Sequence, residues 1–223
     1  MKRASFLCSS IGKKQLMGIA GLFWCGFVFT HMAGNLLYLV SAEAYNSYGH
    51  AITANKEIYY PLEVALAVSL LAHAFFGILV SLENRKARPI GYAVNPGMGT
   101  KGQASIGSKT MAYTGMLIFV FIILHLIKFR FGADYPFQYD GHEIRDLHRL
   151  MTEVFSSGGY VAWYLVCLFV LGLHLSHALW SSLQTLGLVP VGREATLLCV
   201  SQLFGWAVAI GFAVNPIIIF WRG

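Results

Sequence analysis

Residues 16–40 read LMGIAGLFWCGFVFTHMAGNLLYLV, with no charged side chain and a single histidine, His31, in the second half. About 20 apolar residues in helical form cross the hydrocarbon core of a bilayer, and this stretch exceeds that length. It is too long for the apolar region of a signal peptide and shows no small-residue cleavage site, so it reads as a membrane span. Four further stretches satisfy the same criterion, near Pro61–Leu82, Thr110–Ile127, Tyr160–Leu186 and Ala195–Trp221. The composition agrees: 57% of residues are hydrophobic and only 12% charged, against about 25% charged in soluble domains, and the mean hydropathy is +0.61. The expected fold is all-α, one membrane domain of five transmembrane helices over residues 1–223, with short loops between them and no separate soluble domain.

The net charge of +6 is informative through its distribution. Lys2, Arg3, Lys13 and Lys14 precede the first span; Arg85, Lys86, Arg88, Lys101 and Lys109 lie between the second and third; Arg193 lies between the fourth and fifth. The opposite side holds Lys56, Lys128, Arg130, Arg145, Arg149 and Arg222, together with the acids Glu43, Glu57, Asp134, Asp140, Glu143, Asp146 and Glu153. By the positive-inside rule the N-terminus is expected inside and the C-terminus outside. The basic excess is then a topology signal and not a nucleic-acid patch. Cys8, Cys25, Cys167 and Cys199 form no C-x-x-C pair, which excludes the usual zinc spacings and covalent C-x-x-C-H haem attachment.

Two parts of the chain resemble each other. Ser10-Ile11-Gly12, Lys14, Met17, Gly21 and His31 are matched by Ser105-Ile106-Gly107, Lys109, Met111, Gly115 and His125, with the same Met-to-Gly and Gly-to-His spacings. Further on, His73 leads to Ser81-Leu82-Glu83 as His174 leads to Ser182-Leu183-Gln184. The first and second spans thus look like a unit repeated in the third and fourth, as in membrane proteins with parallel repeats, and the fifth stands apart.

His50, His142 and His148 fall in loops and are expected to be solvated; five histidines fall within spans, where a polar group is costly and usually functional. At 1.5 Å per residue, His31 and His125 both lie about 22 Å from the inner edge of the core. His73 and His174 lie about 18 and about 21 Å from the outer edge. The four therefore form an outer layer (His31, His125) and an inner layer (His73, His174) about 10 Å apart. Two imidazoles from different helices at one depth can hold a planar haem between them, and bis-histidine ligation suits electron transfer rather than oxygen chemistry. By position alone His174 and His177 are both candidates for the fourth ligand; the Ser-Leu-Gln match selects His174, leaving His177 to contact a haem propionate. Gly34 and Gly77 are read as leaving room for a ring against the helix, or as serving bare helix contacts.

With those residues in hand, the chain resembles the cytochrome b membrane anchor of succinate dehydrogenase or fumarate reductase, of the single-polypeptide, five-helix, dihaem kind. The resemblance rests on Ser10-Ile11-Gly12-Lys13-Lys14, His31-Met32-Ala33-Gly34-Asn35-Leu36, Leu71-Ala72-His73-Ala74-Phe75-Phe76-Gly77, Leu124-His125-Leu126, Asp146-Leu147-His148, and His174-Leu175-Ser176-His177 with Trp180-Ser181, and it runs nearly the whole chain. It implies two haems b held by His31, His73, His125 and His174, and a flavoprotein with covalent FAD and an iron–sulfur protein docked on the inner face. The setting is the cytoplasmic membrane of a bacterium, in respiration and the tricarboxylic acid cycle. Electrons would pass between the clusters and a membrane quinone, menaquinone being favoured, and the dicarboxylate chemistry would sit on another subunit of a complex free to form a higher oligomer. The alternative is the dihaem anchor of a hydrogenase, formate dehydrogenase or nitrate reductase. A membrane protease would need a Gly-x-Ser-Gly nucleophile, which the chain lacks. A purely structural anchor would need no histidine layers. Lys128 is read either as a propionate contact of the outer haem or as a lysine snorkelling to the interface. Glu63, two residues after Pro61, is read as a quinone-site proton exchanger or as a helix N-terminal acid.

Overall fold

Ser9 sets the start of the first helix: its Oγ accepts the backbone N–H of Gly12 at 3.0 Å, satisfying one of the donors a helix leaves open at its N-terminus. In the computed structural model, which describes residues 9–87 and 106–223, this helix, α1, runs Ser10–Leu36 and closes in a 3-10 turn at Leu37–Leu39. Lys2, Arg3, Cys8, Arg88, Lys101 and Ser105, and the side chain of Lys109, lie outside the description. Then follow α2 (Ala42–Ala54), α3 (Lys56–Lys86), α4 (Ile106–His125), a π-helical turn (Leu126–Arg130), a hairpin of β1 (Pro136–Tyr139) and β2 (His142–Arg145), α5 (Leu147–Phe155), α6 (Gly158–Thr185) and α7 (Glu194–Arg222). Five helices, α1, α3, α4, α6 and α7, are long and apolar enough to cross a membrane.

The second span begins earlier than its sequence suggests. Pro61 is not at the head of the helix; Asn55 caps it, accepting from the N–H groups of Glu57 at 3.1 Å and Ile58 at 3.3 Å. Pro61 is tolerated inside the helix, at the expense of the one bond its missing N–H would have made.

The connections on one side of the bundle are also more than loops: α2, the hairpin and α5 form a cap. The hairpin turns at Asp140 and Gly141, both with positive φ (48° and 72°), the two-residue geometry that matches strand twist. Asp146 caps α5 by accepting from Arg149 N–H at 2.9 Å, and Leu150, Met151, Val154 and Phe155 face inward to a cluster with Tyr45, Val161, Tyr164 and Ile219. Asn46, fully buried, ties α2 to α5: it donates to Asp146 Oδ1 and accepts from His148 N–H, both at 2.9 Å. His148 is partly buried, where its loop position suggested full solvation. It stacks on Tyr38 with ring centroids 4.1 Å apart, while His50 and His142 are exposed.

Among the spans, α6 is central, packing on α1, α4 and most extensively α7, while α3 lies chiefly on α1. The α6–α7 crossing is made by small residues: a Cβ on Gly205 would lie 2.5 Å from Ser176 N and 2.8 Å from Gly172 O. Close approach of this kind drives helix association in lipid, where apolar burial between helices gains little. Ser201 on α7 enters the hydrogen-bond ladder of α6 itself, accepting from Trp180 N–H at 3.0 Å and donating to Ser176 O at 2.8 Å. The large apolar side chains left exposed along α3 and α4 suit contact with lipid chains, since the helices satisfy their own backbone polar groups.

Candidate functional site

Of the five span histidines, four, one each on α1, α3, α4 and α6, are brought together in twos by the bundle. His31 (α1) meets His125, the last residue of α4, with ring centroids 6.0 Å apart and planes at 84°. His73 (α3) meets His174 (α6) at 6.4 Å and 73°. The first pair lies toward the cap, the second toward the opposite end. Gly21, which touches His73, and Gly115, which touches His174, each precede the histidine of the other pair by ten positions. The layers are thus about 15 Å apart, wider than the boundaries inferred from sequence gave.

The duplicated glycines seat these rings. A Cβ on Gly21 would lie 3.0 Å from His73 Cε1, and one on Gly115 would lie 3.4 Å from His174 Cε1. His73 Nδ1 lies 2.9 Å from the Met17 carbonyl, and His174 Nδ1 lies 3.0 Å from Thr114 Oγ1. In the other pair, His125 Nδ1 is 3.2 Å from the Tyr164 hydroxyl. His31 stacks on Phe27 at 5.3 Å, and Asn35 donates to its carbonyl at 2.8 Å. Asn35 is itself held by Tyr45, whose hydroxyl donates to Asn35 Oδ1 at 3.0 Å, and by Asn215, which donates to the Asn35 carbonyl at 2.7 Å.

Each pair of imidazoles could hold a metal-centred planar group between them. A metal–imidazole bond is about 2 Å long and the ring centroid lies about 1 Å beyond the nitrogen, so two imidazoles on opposite faces of one iron have centroids about 6 Å apart. Both pairs are at that spacing. Among the described residues, no three His, Cys, Asp or Glu converge on one point; a porphyrin supplies four ligands of its own and needs two more. A ring N–H held by an acceptor is also the usual companion of a metal-bound histidine.

The secondary candidates fall out differently. His177 is half-buried on α6, one turn from His174. The Lys128 ammonium lies over the Tyr160 ring, 5.5 Å from its centroid. Gly34 makes no room for a cofactor ring: Tyr48 of α2 fills the space, its ring standing where a Cβ would lie, and Gly77 makes only ordinary contact with Met17 Sδ at 3.7 Å. Glu63 is not an N-terminal acid. It lies in the second turn of α3 and is paired with Arg130, whose Nε donates to Oε1 at 2.7 Å and whose Nη2 approaches Oε2 at 3.4 Å; Tyr59 donates to the same Oε1 at 3.3 Å. Arg130 reaches α3 from the π-helical turn after His125, and the hairpin's Arg145 grips that segment through the carbonyls of Gly132 at 3.3 Å and Ala133 at 2.8 Å. Cys25 and Cys167 are buried and unbridged, and Cys199 is exposed.

By the length and composition of its helices the chain is a multi-pass membrane protein, one whose spans carry two facing pairs of histidines. No family model, no curated protein and no solved structure matches it.

Proposed function

We propose that this chain is a dihaem cytochrome b membrane anchor, passing electrons between the iron–sulfur clusters of a succinate dehydrogenase or fumarate reductase and membrane quinone. One observation carries the reading: four span histidines, one on each of four helices, stand as two pairs at the spacing of axial ligands, 6.0 and 6.4 Å between ring centroids. Haem b held there supplies a one-electron carrier. His31 and His125 would hold the outer group, and His73 and His174 the inner. The side chains around them fix the rings and keep water from the site. The sequence resemblance selects the complex; the same pairs would serve the anchor of a hydrogenase, formate dehydrogenase or nitrate reductase.

The distribution of basic residues supports placing the end opposite the cap on the cytoplasmic face; in this reading the membrane is a bacterial inner membrane, as the resemblance implies, and the flavoprotein with FAD and the iron–sulfur subunit dock on that face. The cap then faces outward, with the C-terminus. His177 is assigned to a propionate of the inner haem and Lys128 to one of the outer haem. Glu63, with Arg130 and Tyr59, is assigned to the quinone: a carboxylate to exchange protons beside two donors able to hold a quinone oxygen. Menaquinone is the favoured substrate.

The test is haem stoichiometry by pyridine haemochrome on the purified complex, with identification of the co-purifying subunits. Two non-covalent haems b per chain are expected, beside a flavoprotein and an iron–sulfur protein; one haem or none overturns the proposal. Variants His73→Ala and His174→Ala should lose one redox step, and His31→Ala and His125→Ala the other. Glu63→Gln should keep both haems and activity with artificial acceptors while losing quinone turnover, and undiminished quinone turnover removes Glu63 from the quinone site.

A further inference from the structure

The two copies of the repeated helix pair treat their histidines differently. In the first, His73 Nδ1 lies 2.9 Å from the Met17 carbonyl. A carbonyl only accepts, so Nδ1 carries the proton and Nε2 the lone pair. In the second copy Met111 is the counterpart of Met17, and a hydroxyl stands between it and the ring. Thr114 Oγ1 is 3.0 Å from His174 Nδ1 and lies 3.2 Å from the Met111 carbonyl and 3.1 Å from that of Thr110. A hydroxyl has one proton to give. Given to either carbonyl, that proton leaves the oxygen as acceptor toward His174, with the ring proton on Nδ1 and Nε2 free, the same tautomer as His73. Ala20 occupies the equivalent position in the first copy, three residues beyond its methionine as Thr114 is beyond Met111.

We propose that Thr114 is a positioning residue acting through His174: its buried hydroxyl relays the imidazole Nδ1–H to the backbone of α4 and so leaves Nε2 bare for the metal. The inference rests on the haem reading above. An acceptor on Nδ1–H makes the imidazole a stronger donor, which favours the oxidised iron. Removing it weakens the donor and raises the midpoint potential of that one haem. A net hydrogen bond of about 1 kcal/mol is about a fivefold change in the redox equilibrium, about 40 mV at 59 mV per tenfold for one electron.

The test uses the purified complex with Thr114→Val, which keeps the shape and removes the hydroxyl, and Thr114→Ser, which restores it. Haem content is measured first and the potentials by optical redox titration. The expected result is two haems in each variant. In Thr114→Val the haem that His174→Ala abolishes moves up by about 40 mV and the other stays; in Thr114→Ser both return to the parent values. If Thr114→Val does not accumulate, Thr114→Cys, a weak acceptor of similar size, should shift the same haem in the same direction. Two haems with unchanged potentials in the variant tested, or a serine variant that shifts as valine does, overturns the role of Thr114 and leaves the haem reading standing. A parent complex without haem overturns both.

Discussion

Replacing Gly21 by alanine tests whether the His73–His174 pair is held as tightly as the packing implies. The new Cβ would lie 3.0 Å from His73 Cε1 and 3.3 Å from Nδ1. Non-bonded carbons prefer about 3.5–4.0 Å, so the ring must retreat by about 0.5–1 Å. Taken along the bond to the Met17 carbonyl, now 2.9 Å, that retreat exceeds the useful range of a hydrogen bond. Overpacking of this kind costs about 1–3 kcal/mol, equal to about a 5- to 150-fold loss in retention of a group bound at His73. Gly115 is the graded comparison, since its Cβ would stand 3.4 Å from His174 Cε1 and needs only a small adjustment. Gly26 has nothing within 4 Å, and alanine there should be neutral or slightly favourable to the helix. On the proposed dihaem reading, the assay is the amplitude of the redox step that His73→Ala abolishes, in protein purified under limiting haem. The expected order of loss is Gly21→Ala, then Gly115→Ala, with Gly26→Ala like the parent. Full inner amplitude in Gly21→Ala, or equal loss in all three, would refute the argument.

Three further outcomes concern the cap and the α6–α7 crossing. Burial against Tyr38 lowers the pKa of His148 from 6.5, against the opposing pull of Asp146. The folded cap therefore favours the neutral ring: its contribution is complete above 6.5 and is lost as the pH falls through the lowered value. Amide exchange in residues 41–55 and 147–155, corrected for intrinsic rates, should accelerate on acidification in the parent and much less in His148→Gln; loosening at high pH instead would reverse the sign. Asn46→Ala strands the His148 N–H in a buried position and should destabilise the cap by about 1–3 kcal/mol, read as earlier proteolysis of the hairpin. Gly205→Ala forces a Cβ against the backbone of α6, and a cost of about 1–3 kcal/mol or more should lower the thermal midpoint in detergent well below that of Leu203→Ala, an exposed control.

The spans were legible because their lengths and lack of charge leave no other structure for Leu16–Val40 or Ala195–Trp221. The grouping of the histidines was legible too, because helix rise converts a position such as that of His125 directly into depth. What the sequence concealed lay in the connections. Asp140-Gly141 between Tyr139 and His142 is a hairpin signal, and Leu147, Leu150, Met151 and Val154 have helical spacing, but both are too short to stand out beside the spans. The cap in turn changes the meaning of Gly34, which accommodates Tyr48 from a helix the sequence reading did not foresee. Pro61 misled because proline is common at a helix start, while the capping signal lay earlier, at Asn55. The Glu63–Arg130 pair could not be read by ordinary helix periodicity: the π-helical turn after His125 changes the angle at which Arg130 leaves α4. Thr114 was a visible polar residue inside a span, but only the approach of α6 shows what its hydroxyl meets.

Each histidine pair joins a helix from the first half of the chain to one from the second, which has a consequence for biogenesis. A ribosome delivers the helices in order, and α1 and α3 each emerge without the partner imidazole. The outer pair becomes complete when α4 is inserted and the inner only with α6, while α7 arrives last to brace α6 through Ser201 and Gly205. No nascent chain short of its fourth span contains both pairs, and a truncation after α4 would display one complete pair and one orphan, His73.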